Sequence, residues 1–242
     1  MGAVIVIDVI CWKWKPSAGY RSQFSSKHVN ILRHMVHRHL FVPHRFSCIT
    51  DDSVGIEPGI RIIPLWDDYA NLKNPNVRNG PSCYRRLKIF SKEVRELIGE
   101  RILSIDLDCM IVDDITPLVN NDYDFICWGD TAKGTHYNGG LWLLKAGTRS
   151  QIWETFDAIN SPKITRANRI VGSDQAWISY CLQGKDPKWG TADGIYSFRN
   201  DFVKNNILDL PDNARIILFH GAYDPWDIDI QQKWEWVKEY YR

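Results

Sequence analysis

The chain has 242 residues, 44% of them hydrophobic and 24% charged, a composition typical of a globular protein with room for one or two domains. Its 30 Lys and Arg nearly balance its 29 Asp and Glu, and the net charge of +1 gives no general electrostatic reason to bind nucleic acid or an anionic membrane surface. Because no apolar run approaches the length of a membrane span, no transmembrane segment is predicted.

Short apolar strands alternate with helical patterns along the chain. Residues 4–10 are predicted as the first strand, because this apolar opening lacks a basic leader and Asp8 interrupts it, which argues against a secretion signal. Residues 26–40 follow as a helix with one apolar stripe. Further strands are predicted at 45–50, 59–64, 101–106, 124–128, 141–144 and 215–219. Further helices are predicted from about Ser82 to Ile98, with Gly99 as the stop, and at 151–159, 173–182 and 231–241.

This alternation predicts an α/β fold with a mainly parallel central sheet flanked by helices. Residues 67–81, rich in Asn, Asp, Pro and Gly, are predicted to be a loop. No repeat or convincing linker interrupts the chain, so residues 1–242 are predicted to be a single domain. The six cysteines form no C-x-x-C pair, which disfavours a structural zinc site and is typical of reduced thiols in a cytoplasmic protein.

The end of the strand predicted at 101–106 carries the residues with chemical potential. Because side chains alternate along a strand, Asp106 and Asp108 point the same way while Leu107 points into the core. They stand at the carboxyl end of the strand, where open α/β sheets place ligands. Such a carboxylate pair can hold a divalent cation that bridges the phosphates of a nucleotide sugar, although isolated D-x-D pairs also serve as caps and turns. Asp113 and Asp114, just downstream, are interpreted as turn or capping residues.

Five segments occur in an order that resembles the GT-A-fold glycosyltransferases of family 8, the group of glycogenin and the bacterial galactosyltransferases. In chain order they are Tyr84-Arg85-Arg86-Leu87, residues 103–108, Asn138-Gly139-Gly140, Gly172-Ser173-Asp174-Gln175, and Phe219-His220-Gly221 with Pro225-Trp226. They are similar to that family's Arg-Leu helix, its D-x-D strand, its N-x-G before an apolar strand, its Asp-Gln pair and its H-x-x-G-x-x-K-P-W ending. Each motif is weak alone, and the ordered set is the more specific signal.

The resemblance implies a GT-A (Rossmann-like) domain whose residues 1–110 bind the nucleotide and whose residues 111–242 bind sugar and acceptor. It implies a metal-dependent transferase that uses Mn²⁺ (or Mg²⁺), a UDP-sugar donor and a carbohydrate or glycolipid acceptor, in the cytoplasm or on the inner face of the membrane. Asp106, Asp108 and His220 would hold the metal, and Asp174 and Gln175 would be catalytic residues near the anomeric carbon. The residues implied to contact the donor are Cys11, Trp12, Lys13, Tyr20, Arg86, Asp106, Asn138 and Gly221.

One departure from the family concerns the phosphates. Asp224 stands where the family has a lysine expected to contact the diphosphate, and the spacing from His220 to Gly221 is shorter. The phosphate contacts would then pass to Arg86, Lys13 or Lys88.

The stereochemical course is implied only by the resemblance. Family 8 enzymes retain configuration, which favours transfer on the front face, with the leaving phosphate accepting the acceptor's proton and Asp174 or Gln175 stabilising an oxocarbenium-like centre. An inverting enzyme would instead need a carboxylate base, for which Asp130 or Asp193 is available.

Other functions use parts of the same pattern. A phosphatase of the haloacid-dehalogenase type also has D-x-D after an apolar strand, but it prefers Thr or Val where Met110 stands. A carbohydrate-binding protein of the same fold without turnover is a further alternative. Purely structural interpretations also exist: Asn138-Gly139-Gly140 as a hairpin turn, and Asp174 as the start of a helix.

Overall fold

The computed structural model describes residues 6–15, 23–74, 82–129 and 134–242, and these form two β-sheets with helices packed against them. The strands are β1 (Ile7–Lys13), β2 (His44–Thr50), β3 (Arg61–Pro64), β4 (Arg101–Ile105), β5 (Cys109–Ile111), β6 (Phe125–Gly129), β7 (Tyr137–Lys145), β8 (Lys188–Trp189), β9 (Ile195–Ser197) and β10 (Ile216–Leu218). The α-helices are α1 (Ser26–His39), α2 (Val94–Leu97), α3 (Thr116–Val119), α4 (Gln151–Glu154), α5 (Asn160–Ala167), α6 (Asp174–Leu182), α7 (Ile228–Lys233) and α8 (Glu235–Tyr240). Short 3₁₀ helices span Tyr84–Phe90 and Thr191–Asp193, and a π-helical turn spans Phe198–Val203.

The larger sheet has seven strands in the order β3-β2-β1-β4-β7-β6-β8. Strands β3, β2, β1 and β4 run parallel to one another, and β6 is parallel to β8. Strand β7 runs antiparallel to both of its neighbours, β4 and β6. In the smaller sheet, β10 lies between β5 (antiparallel) and β9 (parallel). The predicted α/β class with a mainly parallel sheet is therefore confirmed.

The central strands are covered on both faces, as their apolar sequences require. All seven residues of β1 and all five of β4 are buried. Along β1 the side chains alternate: Val9 and Cys11 pack with the apolar stripe of α1, whereas Ile10 and Trp12 pack with the 3₁₀ helix on the other face. This alternation decides which β1 side chains can reach a ligand.

Most of the predicted elements are present, and three differ in form. The helix predicted from Ser82 to Ile98 is a 3₁₀ helix followed by α2, and its buried residues Tyr84, Leu87 and Phe90 recur every third residue, the period of a 3₁₀ helix. The helix predicted at 151–159 ends at Glu154. The Asp157 carboxylate then accepts the backbone N–H of Asn160 at 2.6 Å, which starts α5 as a separate helix.

The third difference is at the carboxyl end, where the single helix predicted at 231–241 is replaced by the two helices α7 and α8. Trp234 breaks the pattern with non-helical backbone angles between α7 and α8. Its side chain is buried against Phe198, and its indole N–H donates to the carbonyl of Ile207 at 2.8 Å. Tertiary packing of this one side chain thus outweighs continuation of the helix.

Three further sequence predictions can be compared with the structure. Residues 67–74 carry no helix or strand, as predicted, and residues 75–81 lie outside the described chain. All six cysteines are described and none forms a disulfide. Across the described residues, no helix combines the length and the apolar character needed to cross a bilayer.

Candidate active site

A cavity of about 550 Å³ opens at the carboxyl ends of β1 and β4. Parallel strands direct their carboxyl ends to one edge of a sheet, so segments distant in sequence meet there. The ring-bearing, amide and charged residues that line it are Trp12, Trp14, Lys15, Phe24, Asn71, Lys73, Asn74, Arg85, Arg86, Asp106, Asp108, Trp128, Asn138, Asp174, Gln175, Phe219 and His220. Eight of the residues predicted as functional are among them: Trp12, Arg86, Asp106, Asp108, Asn138, Asp174, Gln175 and His220.

Arg86 holds together two of these carboxylates. Its Nη1 donates to Oδ1 of Asp106 at 2.6 Å, and its Nε donates to Oδ2 of Asp174 at 2.7 Å. The guanidinium is buried. Burial opposes its charge, but the two carboxylates outweigh burial and raise the pKa of Arg86 further above its usual value. The floor of the cavity is therefore a fixed carboxylate–guanidinium–carboxylate array.

Gly139 leaves the space that this array occupies. A methyl group at this position would lie 2.4 Å from Nη2 of Arg86 and 3.2 Å from Oδ2 of Asp174, both closer than van der Waals contact allows. The backbone N–H of Gly140 is held by Oδ1 of Asn138 at 2.8 Å. Because Asn138, Gly139 and Gly140 lie within strand β7, the alternative interpretation of these residues as a hairpin turn is wrong.

Asp174 starts a helix and also lines the cavity. It is the first residue of α6, following Ser173, as a helix-starting residue would be. Its side chain is buried and bonded to Arg86 rather than directed at solvent. The next residue, Gln175, reaches β7, where its Oε1 accepts the N–H of Gly139 at 3.4 Å.

Asp106 and Asp108 lie in an environment with surplus negative charge. Burial raises the pKa of Asp106, and Asp174 adds to the rise, while Arg86 opposes it. Burial raises the pKa of Asp108 well above its usual value, and the charges of Asp106 and Asp224 add to this. A bound cation would relieve both effects, because it supplies the positive charge that burial and like charges demand.

His220 reaches the same cavity from the segment after β10. Its Nε2 is hydrogen-bonded to Oγ of Ser197 at 2.7 Å, and that hydroxyl also accepts the N–H of Asn200 at 3.0 Å. The imidazole ring lies 6.0 Å from the ring of Trp128. The strand pairing of β9 with β10 brings Ser197 beside the histidine.

The donor set of this cavity fits a hard divalent cation in its chemistry, with two carboxylates from one strand end and an imidazole from another. The side chains are not preassembled, however. Within the four described stretches, no three His, Cys, Asp or Glu side chains stand close enough together to bind one metal ion. Arg86 engages one oxygen of Asp106, and Ser197 engages His220. Binding by all three predicted ligands would require at least one of these side chains to move.

Of the residues at the end of β1 that were predicted to contact the sugar donor, one lines the cavity and two do not. Trp12 lines the cavity, with its indole N–H donated to Oγ of Ser104 at 3.1 Å. The side chain of Cys11 lies in the core against α1, and Nζ of Lys13 binds the carbonyl of Asp52 at 2.5 Å; neither residue lines the cavity. Tyr20 lies outside the described residues.

The remaining predicted candidates are placed away from the cavity or not described. Gly221 follows His220 with a φ of 76° but does not line the cavity. Lys88 pairs with Asp68 at 2.6 Å. Asp193, one candidate base for an inverting reaction, accepts the N–H of Gly190 in a turn, and Asp130, the other, is not among the described residues. Asp113 and Asp114 accept backbone N–H groups, which confirms them as turn and capping residues.

Sequence reasoning missed the cations at one side of the cavity. Lys15, Lys73 and Arg85 line it together with Trp14, and the Arg85 guanidinium lies 5.6 Å from the centre of the Trp14 ring. The signal in the sequence was the Trp14-Lys15 pair directly after the first strand, together with Arg85 beside the predicted Arg86. Lys73 carried no signal, because it lies in the predicted loop.

The chain is similar in structure to solved glycosyltransferases. No family model and no curated protein sequence matches the chain. The galactosyltransferase LgtC, solved in complex with donor and acceptor sugar analogues, is similar with a TM-score of 0.61 at 16% identity over 96% of this chain and 96% of LgtC. The glycosyltransferase GlyE of Streptococcus pneumoniae TIGR4 gives 0.58 at 12% identity over 95% of this chain and 59% of GlyE. The bifunctional glycosyltransferase WbbM gives 0.56 at 11% identity over 97% of this chain and 50% of WbbM.

These similarities establish the fold. At 11–16% identity the likeness concerns the course of the backbone, and that course is the α/β fold of the three glycosyltransferases. The predicted glycosyltransferase-like, GT-A-type fold is thereby confirmed. What the cavity does is argued from its own residues.

Proposed function

We propose that this protein is a glycosyltransferase that moves a sugar from a nucleotide-diphosphate donor, preferably a UDP-sugar, to a carbohydrate or glycolipid acceptor. The observation that carries the proposal is the convergence of Asp106, Asp108, Asp174, Gln175 and His220 on one cavity of a chain with a glycosyltransferase fold. These residues come from three separate segments, so a shared cavity is not a consequence of sequence proximity.

The cavity offers a place for each part of such a donor. Trp12 and Trp14, with Lys15 and Arg85, provide aromatic surface and positive charge at the end of β1, as a nucleotide requires. The acidic floor around Arg86 offers hydrogen-bond acceptors for sugar hydroxyls. Lys15, Lys73 and Arg85 replace the phosphate-binding lysine that Asp224 removes from the family pattern.

Asp106, Asp108 and His220 would hold a divalent cation, Mn²⁺ or Mg²⁺, that neutralises charge on the leaving diphosphate. Their donor types and the surplus negative charge around Asp108 support this assignment. Arg86 holds the carboxylates of Asp106 and Asp174 in place by one hydrogen bond to each, and Ser197 fixes the ring orientation of His220.

The reaction favoured is transfer with retention. The bond between the anomeric carbon and the diphosphate oxygen breaks, the acceptor oxygen bonds the same face of that carbon, and its proton passes to the leaving phosphate. Gln175 and Asp174 would stabilise the positive charge that develops on the anomeric carbon. LgtC has also been solved with a Gln-to-Glu substitution in its active site, which supports a functional amide of this kind here.

The proposal is tested by incubating the protein with a panel of UDP-sugars, with and without Mn²⁺, and measuring UDP release and free sugar by mass spectrometry. We expect metal-dependent release for at least one sugar. Asp106→Asn and Asp108→Asn should each lower the rate about 100-fold or more, because each removes a carboxylate that would hold the cation needed by the leaving diphosphate. Asp113→Asn, an identical change at an exposed turn outside the cavity, should leave the rate unchanged.

The alternatives give different results in the same assay. Cleavage of phosphomonoesters without release of sugar would show the dehalogenase-type phosphatase. Saturable UDP-sugar binding with no turnover under any condition would show a carbohydrate-binding protein that keeps the fold alone. Equal rates for wild type, Asp106→Asn and Asp108→Asn would exclude the proposed site.

A further inference from the structure

A second cavity, of about 360 Å³, lies between α1, β2 and β3. It is lined by Arg33, His37, His44, Arg45, Phe46, Gly59 and Arg61. Its residues sit at the amino end of β2, whereas the candidate active site lies beyond the carboxyl ends of the strands. Seven residues of strand at about 3.3 Å each separate the two by about 20 Å, so this cavity is not an extension of the first.

Two of its three guanidiniums are fixed in place. Nε of Arg45 donates to Oδ1 of Asp8 at 2.8 Å. Nη1 and Nη2 of Arg61 donate to the carbonyls of Ile98 and Leu97 at 3.1 and 2.8 Å, at the end of α2. An arginine has five N–H donors, so each of these side chains keeps donors beyond those contacts.

The third guanidinium, that of Arg33, comes from α1. Its Nη1 lies 4.0 Å from Oε2 of Glu57, and its Nη2 lies over Gly59, 3.9 Å from where a methyl group would stand. Gly59 has a φ of 90°, which favours glycine, and the missing side chain keeps this side of the cavity open. The Arg33 guanidinium therefore lies at the cavity without a close ion pair to Glu57.

The charges around the cavity do not cancel. The carboxylates that contact its arginines among the described residues are those of Asp8 and Glu57, against the three guanidiniums. Even with the imidazoles of His37 and His44 neutral, one positive charge is in excess. Three arginines from three elements line one opening, and an anion bound between their guanidiniums would reduce the repulsion among them.

We propose that this cavity is a second ligand site that binds a phosphate group. A phosphate offers at least three acceptor oxygens and up to two negative charges, and it can therefore be shared by Arg33, Arg45 and Arg61, whereas a carboxylate offers two oxygens and one charge. The site binds either a soluble phosphate compound or the phosphate of a lipid headgroup, since both present the same chemistry. This proposal does not depend on the function proposed for the first cavity.

The test measures phosphate binding to the whole protein without added metal. Inorganic phosphate is titrated calorimetrically at constant ionic strength, and a parallel titration of Arg85→Gln, which removes a cation from the first cavity, shows whether any phosphate binds there. In a parallel arm, vesicle flotation compares binding to phosphatidylglycerol with binding to phosphatidylcholine. Free phosphate is then added to the phosphatidylglycerol samples as a competitor. We expect Arg33→Gln to weaken binding at least fivefold in whichever arm shows binding, because it removes one of the three guanidiniums that share the phosphate. The fold should be little affected, since Arg33 has the fewest structural contacts of the three.

Arg95→Gln is the matched control, because Arg95 is exposed, pairs with Glu100 at 3.1 Å and lies outside the cavity. Phosphate binding that Arg33→Gln weakens and Arg95→Gln does not would support a soluble ligand. Phosphatidylglycerol binding with the same dependence, displaced by free phosphate, would support a headgroup. No binding in either arm, or equal binding by wild type and Arg33→Gln, overturns the proposal. UDP-sugar turnover should be unchanged in both variants, so this result is independent of the first cavity.

Discussion

At Arg86 a single guanidinium holds two carboxylates that belong to different elements, one at the end of β4 and one at the start of α6. The arrangement depends on the buried Gly139, whose missing side chain leaves room for the guanidinium. The candidate site therefore depends on the space left between its charged side chains as well as on the side chains themselves.

Replacing Gly139 with alanine should displace Arg86, because the added methyl group would lie 2.4 Å from its Nη2. We expect a loss of about 1–3 kcal/mol in the free energy of unfolding, as for overpacking elsewhere, and a fall in kcat/KM of at least about tenfold. Gly190→Ala is the control, since nothing lies within 4 Å of a methyl group there and its φ of −152° suits any residue. Equal stability of the two variants in urea unfolding would show that the crowding at Gly139 is relieved at no cost.

Asp108 illustrates a conflict between stability and function. Its raised pKa means that the folded chain binds a proton at this carboxyl more tightly than the unfolded chain does. Stability should therefore fall as pH rises above the unfolded value of about 3.9, because the charged form is the one that burial disfavours.

Asp108→Asn should accordingly raise the melting temperature of the metal-free protein at pH 7, and the gain should shrink towards pH 4. Scanning calorimetry from pH 4 to pH 8 measures it, with Asp113→Asn as the exposed control. A variant that is less stable than wild type at pH 7 would mean that Asp108 is held by favourable contacts and not strained by burial.

At the scale of elements, helix α1 depends on a histidine at its start. The backbone N–H of Ser25 donates to Nδ1 of His28 at 2.8 Å, and the imidazole packs 4.3 Å from the ring of Trp226. Burial lowers the pKa of His28. The donated hydrogen bond also needs an unprotonated Nδ1, so the neutral ring is the form that stabilises the helix.

A histidine whose pKa is lowered by folding contributes stability above its unfolded pKa of about 6.5, and that contribution is lost as pH falls towards the folded value. We expect the wild type to lose about 1 kcal/mol between pH 7 and pH 5 relative to His28→Gln, whose amide oxygen accepts the same N–H without titrating. Chemical unfolding at several pH values measures the difference. Parallel pH profiles for the two proteins would rule out this role of His28.

At the scale of the whole molecule, the first cavity draws its lining from both halves of the chain. Trp12, Arg86 and Asp106 belong to residues 1–110, and Asp174 and His220 belong to residues 111–242. A ligand that contacts both sets binds the folded state alone, and it should stabilise the whole chain by mass action.

UDP with Mn²⁺ at 100 times its dissociation constant should therefore add about 2.7 kcal/mol to the free energy of unfolding, which for a chain of this size raises the melting temperature by about 5–10 °C. A chelator should remove most of the shift, and Asp106→Asn should show little of it. Thermal unfolding with UDP alone, Mn²⁺ alone and both together measures the dependence. The same shift with and without the metal would contradict a bridging cation between protein and diphosphate.

Some elements of this protein could be predicted from the sequence, and others could not. The strand ending in Asp106 and Asp108, the stripe of α1 and the start of α6 follow from local patterns of apolar and polar residues, which are set by backbone geometry. The split of the terminal helix at Trp234 and the separate start of α5 after Asp157 do not, because a distant packing partner decides the first and a side-chain hydrogen bond to Asn160 decides the second.

The sequence by itself determined which residue types are present at each strand end and, through the ordered motifs, which kind of fold carries them. Only the tertiary structure decided which of them meet: Arg86 with Asp106 and Asp174, His220 with Ser197, and Cys11 and Lys13 turned away from the cavity. It also brought together Arg33, Arg45 and Arg61, which no motif connects. The reason is physical: alternation along a strand fixes the face of a side chain, but the neighbour across that face comes from a segment whose position depends on the packing of the entire chain.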